Sequence, residues 1–222
     1  MNENRDFTNT NRNLSHNINH NYDEKIFINS DTLKWASYKN KNNIHKKIFS
    51  LKDLQETSLL KLEKNSNLNN ESKINSVEIF VLEGTYINEY GEFKKGTYAQ
   101  FPKEDEKFVK SNEGCTIFRK TNYFDMKDII VIDTNNTTWL NGHGNLMVMP
   151  LFEQTALVKW PQNERFISHK HWGGEEIFVL SGKFIDEHGS YPKNSWIRSP
   201  HLSHHLPYVE EETIIYVKTG HL

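Results

Sequence analysis

Cysteine is nearly missing from this chain of 222 residues, which contains Cys115 and no other. A single cysteine excludes an internal disulfide framework and a zinc site made of paired CxxC thiolates. It also favours a reducing compartment, and we expect a cytoplasmic protein. No apolar run reaches the length of about 18 residues that a membrane span needs, and the first residues lack the pattern of an export signal.

An excess of charge of one sign is missing as well. The chain has 27 Lys and Arg residues against 29 Asp and Glu residues, for a formal net charge of −2. Nucleic acids and anionic membranes attract proteins through concentrated positive charge. We therefore expect neither as a partner and predict a small-molecule ligand or substrate. The sequence leaves a homodimer open.

Apolar residues are rare in residues 1–25, which are rich in Asn. Such a segment has too little apolar surface to bury to offset the conformational entropy that it would lose on folding, so we expect a disordered tail. Beyond it, short runs of Val, Ile, Phe, Tyr and Trp are interrupted by Gly, Pro, Asn or Asp about every 8 to 12 residues. This spacing predicts an all-β sandwich or barrel.

An internal repeat gives the domain organisation. A shift of 98 residues places residues 78–102 on residues 176–200 without a gap, and 11 of these 25 positions are identical. The repeat predicts one β unit present twice, over residues 26–124 and residues 125–222. Glu176 lies on Glu78 in this register, which favours a structural role for both.

Six of the eleven histidines lie between residues 169 and 205. His169 and His171 have strand spacing, so both imidazoles face the same side. The glycine pair after them permits a tight turn that brings Glu175 beside them, and His205 can join from a neighbouring strand of a closed barrel. Three imidazoles and one carboxylate suit one divalent transition metal such as Fe, Zn, Mn or Ni.

These residues carry a family resemblance. The pattern His-x-His-x3-Glu-x6-Gly with a later Pro-x4-His resembles the metal signature of the cupin superfamily, and the run HKHWGGEE with the DEHG turn is similar to ChrR-type cupin domains. The resemblance covers about residues 26–222. It implies two tandem all-β barrels of jelly-roll type, with a metal held in the second barrel by His169, His171, Glu175 and His205.

The first copy departs from this pattern. Its positions equivalent to the four ligands are Glu71, Lys73, Val77 and Lys107. Lysine repels a cation and valine has no donor atom, so we expect an N-terminal barrel without metal. ChrR proteins also carry an anti-sigma module with a zinc site, for which the Asn-rich arm has no cysteine.

Two functions remain open at this stage. The first is a dioxygenase-like enzyme that uses a non-haem metal on a small oxygen-bearing organic molecule, with His201 and Tyr191 as the only candidates for acid or base catalysis. The second is a zinc-binding, ChrR-like sensory or regulatory cupin without catalysis, because four protein ligands can close a tetrahedral zinc shell.

Overall fold

The computed structural model describes residues 17–38, 41–69, 76–102, 108–124 and 128–222. Its regular structure is almost entirely β, with one short 3-10 helix at Ser30–Thr32. The all-β class predicted from the strand spacing is therefore confirmed. No helix in the described ranges is long and apolar enough to span a membrane.

The strands follow the repeat seen in the sequence. Those that precede residue 125 are β1 (Ile26–Asn29), β2 (Ala36–Tyr38), β3 (Lys41–Lys52), β4 (Gln55–Leu62), β5 (Ser66–Asn69), β6 (Val77–Asn88), β7 (Gly91–Lys94), β8 (Thr97–Phe101), β9 (Phe108–Ser111) and β10 (Cys115–Thr121). Those that follow are β11 (Ile130–Asp133), β12 (Leu140–Asn141), β13 (Met147–Pro150), β14 (Thr155–Trp160), β15 (His169–Lys170), β16 (Glu175–Ser181), β17 (Lys183–Asp186), β18 (Gly189–Pro192), β19 (Ser195–Ser199), β20 (His204–His205) and β21 (Thr213–Thr219).

Two barrels result from the pairing of these strands. The main sheet of the N-terminal barrel has the order β11-β8-β6-β10-β4-β3-β2, and β5, β7 and β9 attach to it. The main sheet of the C-terminal barrel has the order β1-β19-β16-β21-β14-β13-β12. The short ladders β15-β20 and β17-β18 complete the C-terminal barrel, and the first of them carries the clustered histidines.

Each barrel receives its edge strand from the other copy. β1 pairs with β19 from Ile26 opposite Arg198, and β11 pairs with β8 from Ile130 opposite Gln100. An exposed sheet edge presents unpaired backbone groups, and this exchange satisfies one edge of each barrel. The expected units 26–124 and 125–222 describe the sequence repeat, whereas the strand pairing crosses that boundary in both directions.

The structure also differs from the expected disordered tail over residues 17–25. Ile18 forms a two-way backbone bridge with Leu51, and the Arg198 guanidinium donates to the carbonyl oxygens of Asn19 at 2.6 Å and Asn21 at 2.7 Å. Charge-assisted hydrogen bonds of this kind offset the cost of ordering a polar segment. The rest of the expected tail, residues 1–16, lies outside the described residues.

Two buried ion pairs join the copies. Lys218 Nζ lies 2.7 Å from Glu78 Oε2, with the two side chains 7% and 2% exposed. Lys120 pairs with Glu176 in the same way. The repeat register relates Glu78 to Glu176 and Lys120 to Lys218, so each glutamate pairs with the lysine of the other copy.

Uncharged groups complete the hydrogen bonding of these pairs. Lys218 donates to Thr155, and the Tyr216 hydroxyl donates to Glu78. On the other side, the Trp196 indole donates to Glu176 at 3.1 Å. The structural role expected for Glu176 agrees with these contacts.

The first prediction concerns the ion pair between Glu78 and Lys218. We expect Lys218→Met to lower the free energy of unfolding by about 3–5 kcal/mol, because it leaves a buried carboxylate without its cation. Lys159→Met is the control, since Lys159 pairs with Glu212 at an exposed position, and it should cost less than about 1 kcal/mol. Urea unfolding measures both, and equal losses would contradict a special role for the buried pair.

Candidate functional site

The ladder β15-β20 brings three histidines together inside the C-terminal barrel. His169 is the register partner of His205, and His171 follows β15 directly. One ring nitrogen from each of the three lies within 4.8 Å of the others. The closed barrel therefore joins residues that are more than thirty positions apart in the sequence.

A double-glycine turn adds the carboxylate. Gly173 and Gly174 both have φ near +71°, a conformation that side chains other than glycine rarely adopt. The turn is also packed against the end of the chain, since the amide of Leu222 donates to the carbonyl of Gly173 at 2.8 Å. This turn leads directly into β16 and places Glu175, its first residue, beside the histidines.

The Glu175 carboxylate faces two of the imidazoles. Its Oε1 lies 3.5 Å from His171 Nε2, and its Oε2 lies 3.8 Å from His205 Nε2. Burial raises the pKa of Glu175 to about 7. Its Oε2 is buried and has no hydrogen-bond partner among the described residues. A buried carboxylate oxygen of this kind needs a proton or a cation.

Hydrogen bonds at the outer ring nitrogens orient two of the histidines. His169 Nδ1 lies 2.9 Å from the carbonyl oxygen of Ile167, and His205 Nδ1 lies 3.5 Å from Asp186 Oδ2. Each of these contacts favours a proton on Nδ1, which leaves the lone pair of Nε2 free. Burial, with the neighbouring His205 and His169, lowers the pKa of His171 to about 3, so this ring is neutral.

Asp186 lies beside the candidate site and was not predicted from the sequence. Its carboxylate accepts from Lys25 Nζ at 2.7 Å and from the Tyr191 hydroxyl at 2.8 Å, in addition to its contact with His205. Burial alone would raise the pKa of Asp186, but hydrogen bonds from His205, Lys25 and Tyr191 outweigh burial and hold it well below its usual range. The sequence indicated this residue only as part of the DEHG turn and gave it no role at the metal site.

The spacing of one pair of donor atoms fits a single metal ion. His171 Nε2 and His205 Nε2 are 3.1 Å apart. Two nitrogens that bind one metal at about 2.0–2.1 Å lie roughly 2.9–3.4 Å apart in octahedral or tetrahedral sites. Neutral imidazoles and an unpartnered carboxylate oxygen supply the donor types that Zn, Fe, Mn and Ni accept.

A cavity of about 200 Å³ opens beside this cluster, and His169, Glu175 and His205 form part of its wall. The remaining wall is mostly apolar, with His143 as a further polar residue. The cluster is therefore accessible from one side to a molecule held in the barrel.

The two predicted catalytic candidates lie elsewhere. Tyr191 is buried and its hydroxyl is engaged by Asp186. His201 is exposed, and its Nδ1 accepts from the amide of Gly173 at 2.8 Å while its ring contacts Trp172. Neither residue lines the cavity.

The equivalent positions of the N-terminal barrel are described only in part. Glu71, Lys73 and Lys107 lie outside the described residues. Val77, which takes the place of Glu175, is 2% exposed and belongs to the apolar core of that barrel. The expectation of an N-terminal barrel without metal therefore stays a prediction.

Comparison with known families gives one match over nearly the whole chain. The family model of the ChrR cupin-like domain matches residues 23–125 and again residues 127–222. The predicted resemblance and the two tandem copies are thereby confirmed. A search of curated protein sequences finds no match.

Solved structures share the fold at low sequence identity. A Nostoc punctiforme protein described as a "putative dioxygenase" superposes with a TM-score of 0.72 at 14% identity, covering 89% of this chain and 82% of its own. A single-substitution variant of the oxalate decarboxylase of Bacillus subtilis gives 0.63 at 9% identity, with 88% and 77% covered. A cupin 2 conserved barrel domain protein from Leptotrichia buccalis gives 0.58 at 13% identity, with 87% and 96% covered. These likenesses establish the cupin fold.

The second prediction tests the double-glycine turn. A Cβ on Gly173 would lie 2.6 Å from the Cα of Gly220, so Gly173→Ala strains both φ and packing. Gly144→Ala is the control, because Gly144 has a similar φ but faces only the flexible end of Glu164. We expect Gly173→Ala to cost about 1–3 kcal/mol more than the control. Equal unfolding free energies in urea would show that the close approach is unimportant.

Proposed function

The chain belongs to the ChrR cupin-like family, and from this premise we propose that it is a dioxygenase-like enzyme that depends on a divalent metal. Its substrate is a small oxygen-bearing organic molecule, and dioxygen is the oxidant, with both oxygen atoms entering the products. The observation that carries the proposal is the cavity that opens directly onto His169, Glu175 and His205. A site for structure alone has no need of such a space.

His169, His171, Glu175 and His205 hold the metal in this proposal. When bound, a redox-active metal such as Fe(II) supplies Lewis acidity and a template on which substrate and dioxygen can meet. Three neutral imidazoles and one carboxylate leave a divalent ion with one net positive charge. The site therefore favours a substrate oxygen that is neutral or carries a single negative charge.

The surrounding residues prepare this site. Asp186 and the carbonyl of Ile167 fix His205 and His169 with Nε2 towards the centre, which reduces the reorganisation needed on binding. The apolar wall excludes water and so strengthens each electrostatic contact inside the cavity. His143, the remaining polar residue of the wall, is in position to exchange a proton with a bound molecule.

A zinc-binding regulatory protein is the second candidate. Four donors from the protein can close a tetrahedral zinc shell, which leaves no position for a substrate. The same donor set supports both candidates, so the identity of the metal and the turnover of dioxygen must separate them.

The third prediction is the metal content. We expect the untagged protein to hold one divalent ion per chain and the His169→Ala, His171→Ala variant to hold none, by mass spectrometry of the metal. His143→Ala is the control, because His143 lines the cavity but lies outside the histidine cluster. It should keep its metal.

Dioxygen consumption with a panel of small diketones and aromatic ketones then tests the enzyme. Turnover by the iron- or manganese-loaded parent, absent from the double variant, is the expected result. Tightly bound zinc and no turnover with any reloaded metal would favour the regulatory candidate. Metal retained by the double variant, or no metal in the parent, would overturn the proposed site.

The fourth prediction concerns the carboxylate behind His205. Asp186→Asn keeps the shape of the side chain but removes its charge, so we expect metal affinity to fall by about 10–100-fold in competition with a chelating dye. His188→Ala in the same turn is the control, since its ring contacts only Glu187 among ion-pair partners. An unchanged affinity in Asp186→Asn would remove Asp186 from the site.

A further inference from the structure

A segment of three residues packs on the double-glycine turn. Residues 220–222, called here the closing segment, follow β21 directly. The amide of Gly220 donates to the carbonyl of Gly174 at 3.1 Å, and the amide of Leu222 donates to the carbonyl of Gly173 at 2.8 Å. The closing segment therefore holds both glycines of the turn by their backbones.

The contact between the closing segment and the turn is too close for side chains on the turn. A Cβ on Gly174 would lie 2.6 Å from Leu222 Cδ1, and a Cβ on Gly173 would lie 2.6 Å from the Cα of Gly220. Real Cβ atoms do not approach other atoms this closely. The glycine pair thus provides both the positive φ of the turn and the space that the closing segment occupies.

His221 anchors the closing segment on the face of β16 opposite Glu175. Its Nε2 lies within hydrogen-bond distance of Glu176 Oε2, and its ring contacts the Tyr123 ring edge to face, with centroids 6.2 Å apart. Glu176 is itself paired with Lys120 of the other copy. The closing segment is therefore attached to the interface between the copies as well as to the turn.

Comparison of the copies separates what the fold shares from what the second copy adds. In the first copy the amide of Asn122 donates to the carbonyl of Ser76 at 3.0 Å, which is the repeat equivalent of the bond between Gly220 and Gly174. The glycine pair itself is not repeated, since Asn75 and Ser76 take its positions. The turn without side chains thus occurs in the copy that carries the candidate metal ligands.

The position of Glu175 depends on this turn. Its Oε2 has no hydrogen-bond partner among the described residues. Its oxygens lie 3.5 Å from His171 Nε2 and 3.8 Å from His205 Nε2, which is longer than an ordinary hydrogen bond of about 2.7–3.2 Å. The location of the carboxylate is therefore set mainly by its backbone, which begins at the turn.

We infer that the closing segment, through Leu222, positions the Glu175 carboxylate for the metal. The inference rests on the proposed function for the presence of that metal. Leu222 packs on the turn and acts through Glu175, so it is a positioning residue. Ligands that are held in place before binding lose less affinity to reorganisation.

A double-mutant cycle tests the inference. Leu222→Ala removes the side chain that packs on Gly174 and keeps the backbone hydrogen bond. The dissociation constant of Zn(II) is measured by competition with a chelating dye for the parent, Leu222→Ala, Glu175→Ala and the double variant. Leu140→Ala is the matched control, because Leu140 belongs to the edge strand β12 of the same barrel and is 52% exposed.

We expect Leu222→Ala to weaken zinc binding about tenfold, at the lower end of the loss that follows when a residue orienting a ligand is changed. In the Glu175→Ala background the same substitution should change the affinity less than about twofold, because the carboxylate that Leu222 positions is absent. Leu140→Ala should bind zinc like the parent. A purely structural role for Leu222 would weaken binding equally in both backgrounds.

Hydrogen exchange of the metal-free proteins provides a readout that needs no metal. The amides of residues 173–176 should exchange faster in Leu222→Ala than in the parent, because local opening of the turn becomes easier. The amides of β4, in the other barrel, should exchange at the same rate in both proteins. Unchanged exchange in β4 also shows that the variant is folded.

A zinc affinity of Leu222→Ala within about twofold of the parent, or the same loss in both backgrounds, would overturn the inference and leave the proposed function intact. A parent that binds no zinc would instead overturn the proposed metal site. Exchange then decides the inference alone. Faster exchange confined to the turn would support it, and unchanged exchange at the turn would overturn it.

Discussion

Two buried ion pairs join the halves of this protein, and each takes its glutamate from one copy and its lysine from the other. Removing four charged groups from water is costly, so they must stay paired and hydrogen-bonded. Each glutamate lies opposite the lysine of its own copy on the neighbouring strand, yet it forms its ion pair with the lysine of the other copy. These two cross pairs and the exchanged strands β1 and β11 hold the copies together.

The ion pair of Glu176 also constrains the candidate metal site, because β16 contributes one residue to each. Glu175 and Glu176 are consecutive in β16, and neighbouring strand residues face opposite sides. Glu176 faces the interface with Lys120, so Glu175 must face the barrel interior with His171 and His205. A shift of one residue in the register of β16 would break the ion pair between Glu176 and Lys120. It would also turn the Glu175 carboxylate away from the histidines. The register that the interface requires is thus also the register that the site requires.

The sequence predicted those parts of the protein that depend on local pattern. Strand alternation placed His169 and His171 on one face, the glycine pair predicted the turn to Glu175, and the repeat predicted two barrels. Lys25 and Asp186 escaped prediction because they are 161 positions apart and meet only after strand exchange. The residue pattern within a strand does not indicate which sheet edge that strand will pair with. The packing of residues 17–25 was missed for a related reason, since Arg198 binds their backbone oxygens, which composition does not reveal.

The two barrels have the same type of fold, but different side chains line their interiors. At three equivalent positions the N-terminal barrel has Leu60, Leu62 and Val77, all in its apolar core, where the C-terminal barrel has Val158, Trp160 and Glu175 around a cavity. A filled interior gains burial free energy that a cavity forgoes. Because the ion pairs and exchanged strands couple the copies, stability gained in one barrel supports the other. The C-terminal barrel has a cavity beside its histidine cluster at these positions, and the coupling between the copies offsets part of the burial that this cavity forgoes.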